Sequence, residues 1–271
     1  MAITTVDGVA NALGNNAQVL IVAKTSIATQ GAGGFSSLWK AGGTPGAGSN
    51  PTTAAIPTKA TSGALFNFTN ATGTNKLYFG RGFLVSSNSS TDVWIHDRLS
   101  HMGGLSGTVT TSQTVGCDVT SLAGARCSSD YSDVQWWIEQ YSDIGTTPVT
   151  ATVTYTNAAG SSGQTTTVSI GGASPLNQDS RMFPIYGSGG EYIQSIQSIQ
   201  HATTGTAGNY GITATKPITS MSLGLANSGE VYDWTQLGLA EVPDDACLMA
   251  IVICGTTSTG TLNGTFKLIT G

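Results

Sequence analysis

Residues 148–172 read PVTATVTYTNAAGSSGQTTTVSIGG, and their spacing decides the fold class. From Val149 to Thr156 the side chains alternate, with Val149, Ala151, Val153 and Tyr155 on one side and four threonines on the other. A period of two is that of a strand with one covered face. Asn157 to Gly163 is small and polar, and Thr166, Val168 and Ile170 then resume the alternation against Thr165, Thr167 and Ser169. The stretch predicts an antiparallel hairpin, one face on a core and the other lined with threonine.

The same idiom of short apolar alternation, threonine and Gly-rich turns fills much of the chain. Strands are expected over residues 64–70, 76–83, 93–99, 105–115, 133–141, 181–186, 192–201, 209–214, 218–225, 247–254 and 261–269. Residues 195–200 repeat QSI and could instead form a helical turn; strand is preferred there. Many short strands with Gly punctuation and hardly any helix predict an all-β protein, an antiparallel β-sandwich of jelly-roll type over residues 58–271.

Residues 1–57 differ. Ile3, Val6, Ala10 and Leu13 recur at helical spacing, with Thr5 or Thr4 available as a cap, and a short helix ending near Gly14 is expected. Residues 17–28 favour strand by their Val and Ile content. Residues 30–57 are broken by Gly and Pro around Phe35, Leu38 and Trp39. Such a segment is either an extended N-terminal arm laid on a neighbouring surface, anchored by Trp39, or a loop tucked on its own domain.

Only 9% of the 271 residues are Asp, Glu, Lys or Arg, against about a quarter in typical domains. A surface so poor in charge resists association weakly and suits a protein packed against copies of itself or a partner. Net charge is −5, and the ten Lys and Arg are scattered, so no basic stripe exists for nucleic acid. No apolar run approaches the length of a membrane span. The N-terminus lacks the basic start and apolar core of a secretory signal, so export by that route is not expected.

Reactive constellations are scarce. Cys117, Cys127, Cys247 and Cys254 fit no metal spacing. Buried free thiols are expected, with a Cys117–Cys127 disulfide as the alternative; Cys247 and Cys254 would leave one strand on opposite faces and cannot bridge. Asp97, Ser100 and His101 lie within five residues, but adjacent Ser100 and His101 would point apart and no nucleophile elbow is present. Arg98 is expected to pair locally or across a subunit boundary. Asp130, Asp133, Glu139 and Asp143 cluster in sequence without a cleft to fix two of them. Asp244 and Asp245 read as a turn. No catalytic, cofactor or metal residue is therefore assigned. Trp136 and Trp137, with Trp94, Tyr141 and Trp234, could form a sugar-stacking platform, although packing is the ordinary use of such rings.

Three segments carry a resemblance: WKAGGTPGAGSNP from Trp39, DRLSHMGGLSGTVTTSQTV from Asp97, and the stretch from Ile138 through Gly172. Together with the Thr/Gly/Ala-rich style, they resemble virion proteins of tailed bacteriophages, and head decoration or cement proteins most of all. The resemblance implies a non-enzymatic subunit, commonly a homotrimer. It would be made in the host bacterial cytoplasm and would clamp the major capsid protein from the capsid exterior, often through an arm. Phe35, Leu38, Trp39, Arg98, Trp136 and Trp137 are the candidate partner-binding residues. Many cement proteins are shorter than this chain, so a tail or fibre location with receptor or glycan binding stays open. A major shell protein is disfavoured, since its usual fold requires a long helix.

Overall fold

The computed structural model describes residues 3–205 and 207–271. In chain order its elements begin with α1 (Val6–Asn15), β1 (Ala17–Lys24), β2 (Phe35–Ser37), β3 (Gly43–Thr44), β4 (Leu77–Ser86), β5 (Thr91–Ser106) and β6 (Gln113–Asp118). They continue with β7 (Gln135–Gln140), β8 (Val149–Asn157), β9 (Gln164–Ile170), β10 (Met182–Ile185), β11 (Ile193–His201) and β12 (Asn209–Leu223). The last are β13 (Gly229–Asp233), β14 (Glu241–Val242), β15 (Leu248–Ile253) and β16 (Leu262–Thr270).

These strands make three antiparallel sheets, an all-β architecture as the alternation predicts. The first runs β13-β4-β16-β1-β3 with β14 also on β4, the central one β10-β7-β12-β5-β15-β2, and the third β6-β11-β8-β9. One face of the central sheet serves two cores. Val93, Ile95, Ala250 and Val252 meet Val22, Phe79, Leu84 and Phe266 of the first sheet. Leu99, Trp136, Ile138 and Ile212 meet Val153, Tyr155, Ile196 and Ile199 of the third.

The hairpin forms as predicted. β8 pairs β9 from Val149 opposite Ile170 to Tyr155 opposite Gln164. Val149, Ala151, Val153 and Tyr155 are fully buried, whereas Thr165, Thr167 and Ser169 are exposed. α1 is capped by Thr5, whose hydroxyl accepts the Gly8 amide at 3.0 Å. The buried stripe is Val9 and Ala12, while Val6 faces outward. A ten-residue helix has too few turns to set its own rotation, and docking on β16 decides it.

Residues 17–57 are built into the body rather than laid along a neighbour. β1 lies between β16 and β3, β2 adds to β15, and Val22, Leu38 and Ala41 share a core with Leu65 and Phe66. Side chains on both sides of the boundary expected at residue 57 thus share one core.

Three strand expectations are corrected. Residues 64–70 form no strand; Leu65, Phe66 and Phe68 instead plug the first core. β5 continues through Gly103 and Gly104, the latter at φ +80°, so the pair bends the strand instead of ending it. Residues 209–225 hold one long strand, in which Pro217 falls opposite His96 at a register shift.

All four cysteines are buried free thiols, and burial pushes Cys117 and Cys247 up to about 12. The disulfide alternative is not adopted. Among the described residues, no helix is long and apolar enough to cross a membrane.

Candidate functional site on the outer face of the central sheet

With one face of the central sheet given to the two cores, the chemistry-bearing side chains collect on the other. Register places Phe35 of β2, Ile251 of β15 and Trp94 of β5 on this outer face, with Gln135, Trp137 and Glu139 of β7 and Thr213 and Thr215 of β12. The face divides into a covered half and an open half.

The covered half is built around an ion pair. Arg98 Nη2 donates to Glu139 Oε2 at 2.5 Å, to the Tyr141 hydroxyl at 2.8 Å and to Thr213 Oγ1 at 2.9 Å. Tyr141 and Thr213 in turn donate to the same Glu139 oxygen at 3.0 and 2.7 Å. Arg98 and Glu139 are fully buried. Burial alone would raise the Glu139 carboxyl; the Arg98 guanidinium and the hydroxyl donors hold it below the usual carboxylate range.

Trp39 closes this half, its ring 4.3 Å from the Arg98 guanidinium carbon and edge-on to His101. Its Nε1 donates to the Ser49 carbonyl. The loop must pass so close that a Cβ on Gly48 would overlap the indole. Burial and the neighbouring Arg98 charge lower the His101 imidazole to about 3.

Arg98 thus pairs neither locally nor across a subunit boundary, but with a residue 41 positions on. Its sequence neighbour Asp97 points to the opposite side and takes Arg126 in a second buried pair, Nη2 to Oδ1 at 2.5 Å. Strand parity separates adjacent residues, and the same parity keeps Ser100 and His101 from forming a catalytic pair.

The open half carries three tilted rings, with Phe35 5.4 Å from Trp94 and 5.3 Å from Trp137. Trp94 stacks parallel on His96 at 5.9 Å. Trp137 Nε1 donates to Thr215 Oγ1 at 2.9 Å, and the same hydroxyl lies 3.0 Å from His96 Nδ1. Burial drives His96 down to about 3, so its ring is neutral. Two buried polar atoms here lack a partner in the protein, His96 Nε2 and Gln135 Oε1; each such vacancy costs about 1–3 kcal/mol.

Of the candidates read from sequence, Phe35, Trp39, Arg98 and Trp137 share this face. Leu38 belongs to the first core, and Trp136 faces the third sheet with its Nε1 on the Ile193 carbonyl. A stacking platform made of Trp136 and Trp137 is not present, since they are only 2% and 3% exposed. Sequence reading missed Glu139 as the partner of Arg98 and missed His96. A lone acid in the apolar run QWWIEQ was the available signal, because a carboxylate there requires a buried cation.

A second surface sets exposed apolar side chains among polar and charged ones. On the outward face of the first sheet, Ile21, Thr265, Phe83 and Val231 stand in one cross-strand row. Val19, Lys267, Arg81 and Asp233 form the next row. Val19 is 60% exposed, Ile21 62%, Phe83 39% and Val231 49%. Among the described residues no group of three or more His, Cys, Asp or Glu is arranged to hold a metal ion.

No protein-family description matches the sequence, and neither does any curated protein. Among solved structures, the VP2 subviral particle of infectious bursal disease virus is 10% identical over 94% of this chain and 80% of that chain, with a TM-score of 0.22. T=1 particles derived from the same virus give 9% identity over 94% and 77%, at 0.17. Scores this low establish no common fold and carry no argument about function.

Proposed function

We propose that this chain is a non-enzymatic structural subunit of a virus particle. In the finer reading it is a capsid-decorating protein that associates with copies of itself and braces the shell of a tailed-phage head. The observation that carries the proposal is the set of exposed apolar side chains on the open face of the first sheet. Four large apolar side chains on three strands, Val19, Ile21, Phe83 and Val231, are exposed together on a rigid sheet. Exposed apolar side chains gathered on one sheet face beside polar residues are a feature of interaction surfaces.

Two further features support it. Reactive groups are locked inside: His96 and His101 are buried and neutral, the thiols are buried, and two of the carboxylates are held by arginines. The resemblance of three segments to tailed-phage virion proteins supplies the biological setting. Association through many identical faces multiplies weak contacts, so a shell can be braced without tight single contacts.

Light scattering on the purified protein tests the self-association. The expected mass is that of a homotrimer, and Ile21→Lys, which buries a charge in any contact across this face, is expected to give monomers at the same concentration. A monomeric parent protein would remove the reading, as would an oligomer indifferent to Ile21→Lys and Phe83→Lys together. Cosedimentation with empty phage heads tests the shell partner separately.

A further inference from the structure

We propose that the open half of the central sheet's outer face is a subsite for an uncharged saccharide ring. Two hollows are sunk into it. One of about 350 Å³ is lined by Trp94, His96, Gln135 and residues 217–220. The other, of about 160 Å³, is lined among others by Phe35, Trp137, Pro184 and Tyr186. Both also include Trp94 and Gln135 in their walls, so they adjoin there. Together they reach the size of small-molecule sites, which pair aromatic walls with a few placed polar groups.

Those polar groups are of a definite kind. Thr215 has one hydroxyl hydrogen and already accepts the Trp137 indole N–H. Its nearer acceptor is His96 Nδ1 at 3.0 Å rather than the Gln135 carbonyl at 3.5 Å. Nδ1 is therefore assigned as the acceptor, and the neutral imidazole carries its proton on Nε2. The wall then holds one unmet donor, His96 Nε2–H, and one unmet acceptor, Gln135 Oε1.

Hydroxyls on neighbouring ring carbons supply both complements, since each can give and accept a hydrogen bond. The apolar C–H face of a pyranose lies against aromatic rings by the same contacts that pack aromatic side chains. No Asp, Glu, Lys or Arg lines either hollow, which disfavours a phosphate or another charged ligand. Tyr186, 73% exposed at the rim, is placed to lie over a bound ring.

The proposal does not rest on the association face, which belongs to a different sheet. Its test is saturation-transfer NMR on the full chain with the methyl glycosides of glucose, galactose, mannose, N-acetylglucosamine and rhamnose at millimolar concentration. At least one glycoside is expected to receive saturation. Gln135→Leu, which removes the amide at similar size, is expected to weaken that glycoside about tenfold or more. Tyr186→Ala, on the exposed rim and safe for folding, is expected to weaken it several-fold, and Ile21→Lys to leave it unchanged. Silence from all five glycosides would overturn the proposal, as would affinity unaltered in both Gln135→Leu and Tyr186→Ala.

Discussion

Glu139→Leu is expected to lower folding stability by about 3–5 kcal/mol, read as a fall in the urea midpoint at unchanged slope. The carboxylate it removes is, among the described residues, the only one paired with Arg98, and it also accepts from Tyr141 and Thr213. Arg98 cannot shed its proton, so the substitution leaves a full charge in a buried site where the Trp39 ring face, two hydroxyls and the Met249 thioether surround it. The double variant Arg98→Met/Glu139→Leu is expected to regain most of the loss, because two apolar side chains of similar volume carry no desolvation penalty. Recovery should stay incomplete, since the Tyr141 and Thr213 hydroxyls lose their acceptor. A cost below about 1 kcal/mol for the single variant would mean that water reaches the pair.

Acid is expected to weaken the fold well before the carboxylates titrate. His96 and His101 stand at about 3 in the folded chain against an ordinary value of 6.5. Between those values the unfolded chain binds more protons than the folded one, so stability present at neutral pH is lost as pH falls through that window. At about pH 5 the loss is on the order of 2 kcal/mol for each imidazole. The depressed Glu139 carboxyl adds to it at lower pH, while Asp97, whose carboxyl burial raises despite Arg126, offsets part. Urea midpoints at about pH 7 and pH 5 measure the slope, and His101→Phe, which preserves a ring beside Trp39, should remove its own share of about 2 kcal/mol, while His96 and His201, both also lowered by burial, keep the rest. Equal midpoints at both pH values would show that the imidazoles protonate without unfolding.

Much of this fold is legible residue by residue. Alternation in Val149–Tyr155 gave both the strand and its buried face, because a pleated backbone turns every second side chain inward. The Thr5 cap fixed where α1 starts, as a side-chain acceptor is needed for the first free amides. What misled was also local. Gly103-Gly104 and Pro217 resemble stops, yet both lie within the long β5–β12 ladder, which absorbs them at register shifts; Pro217 falls where β12 has β5 as its only strand partner, so its missing amide costs no bond on the other side. Apolar residues 64–70 read as a strand and serve as a plug, since burial alone satisfies their side chains.

The candidate site was visible only in parts. Phe35, Trp94 and Trp137 were each conspicuous, but their gathering depends on strands brought together from opposite ends of the chain. Arg98 was expected to pair locally or across a subunit boundary; it and Asp97 each have a partner dozens of residues away, on the side of the sheet that parity assigns. The sequence by itself determined the period, the buried parity of each strand, the helix start and the scarcity of charge, all set by covalent geometry and near neighbours. Only the tertiary structure decided which strands share a sheet, which face of the central sheet stays open and which charges meet. Those depend on register between distant segments, where the net gain of closing the whole core outweighs any local preference.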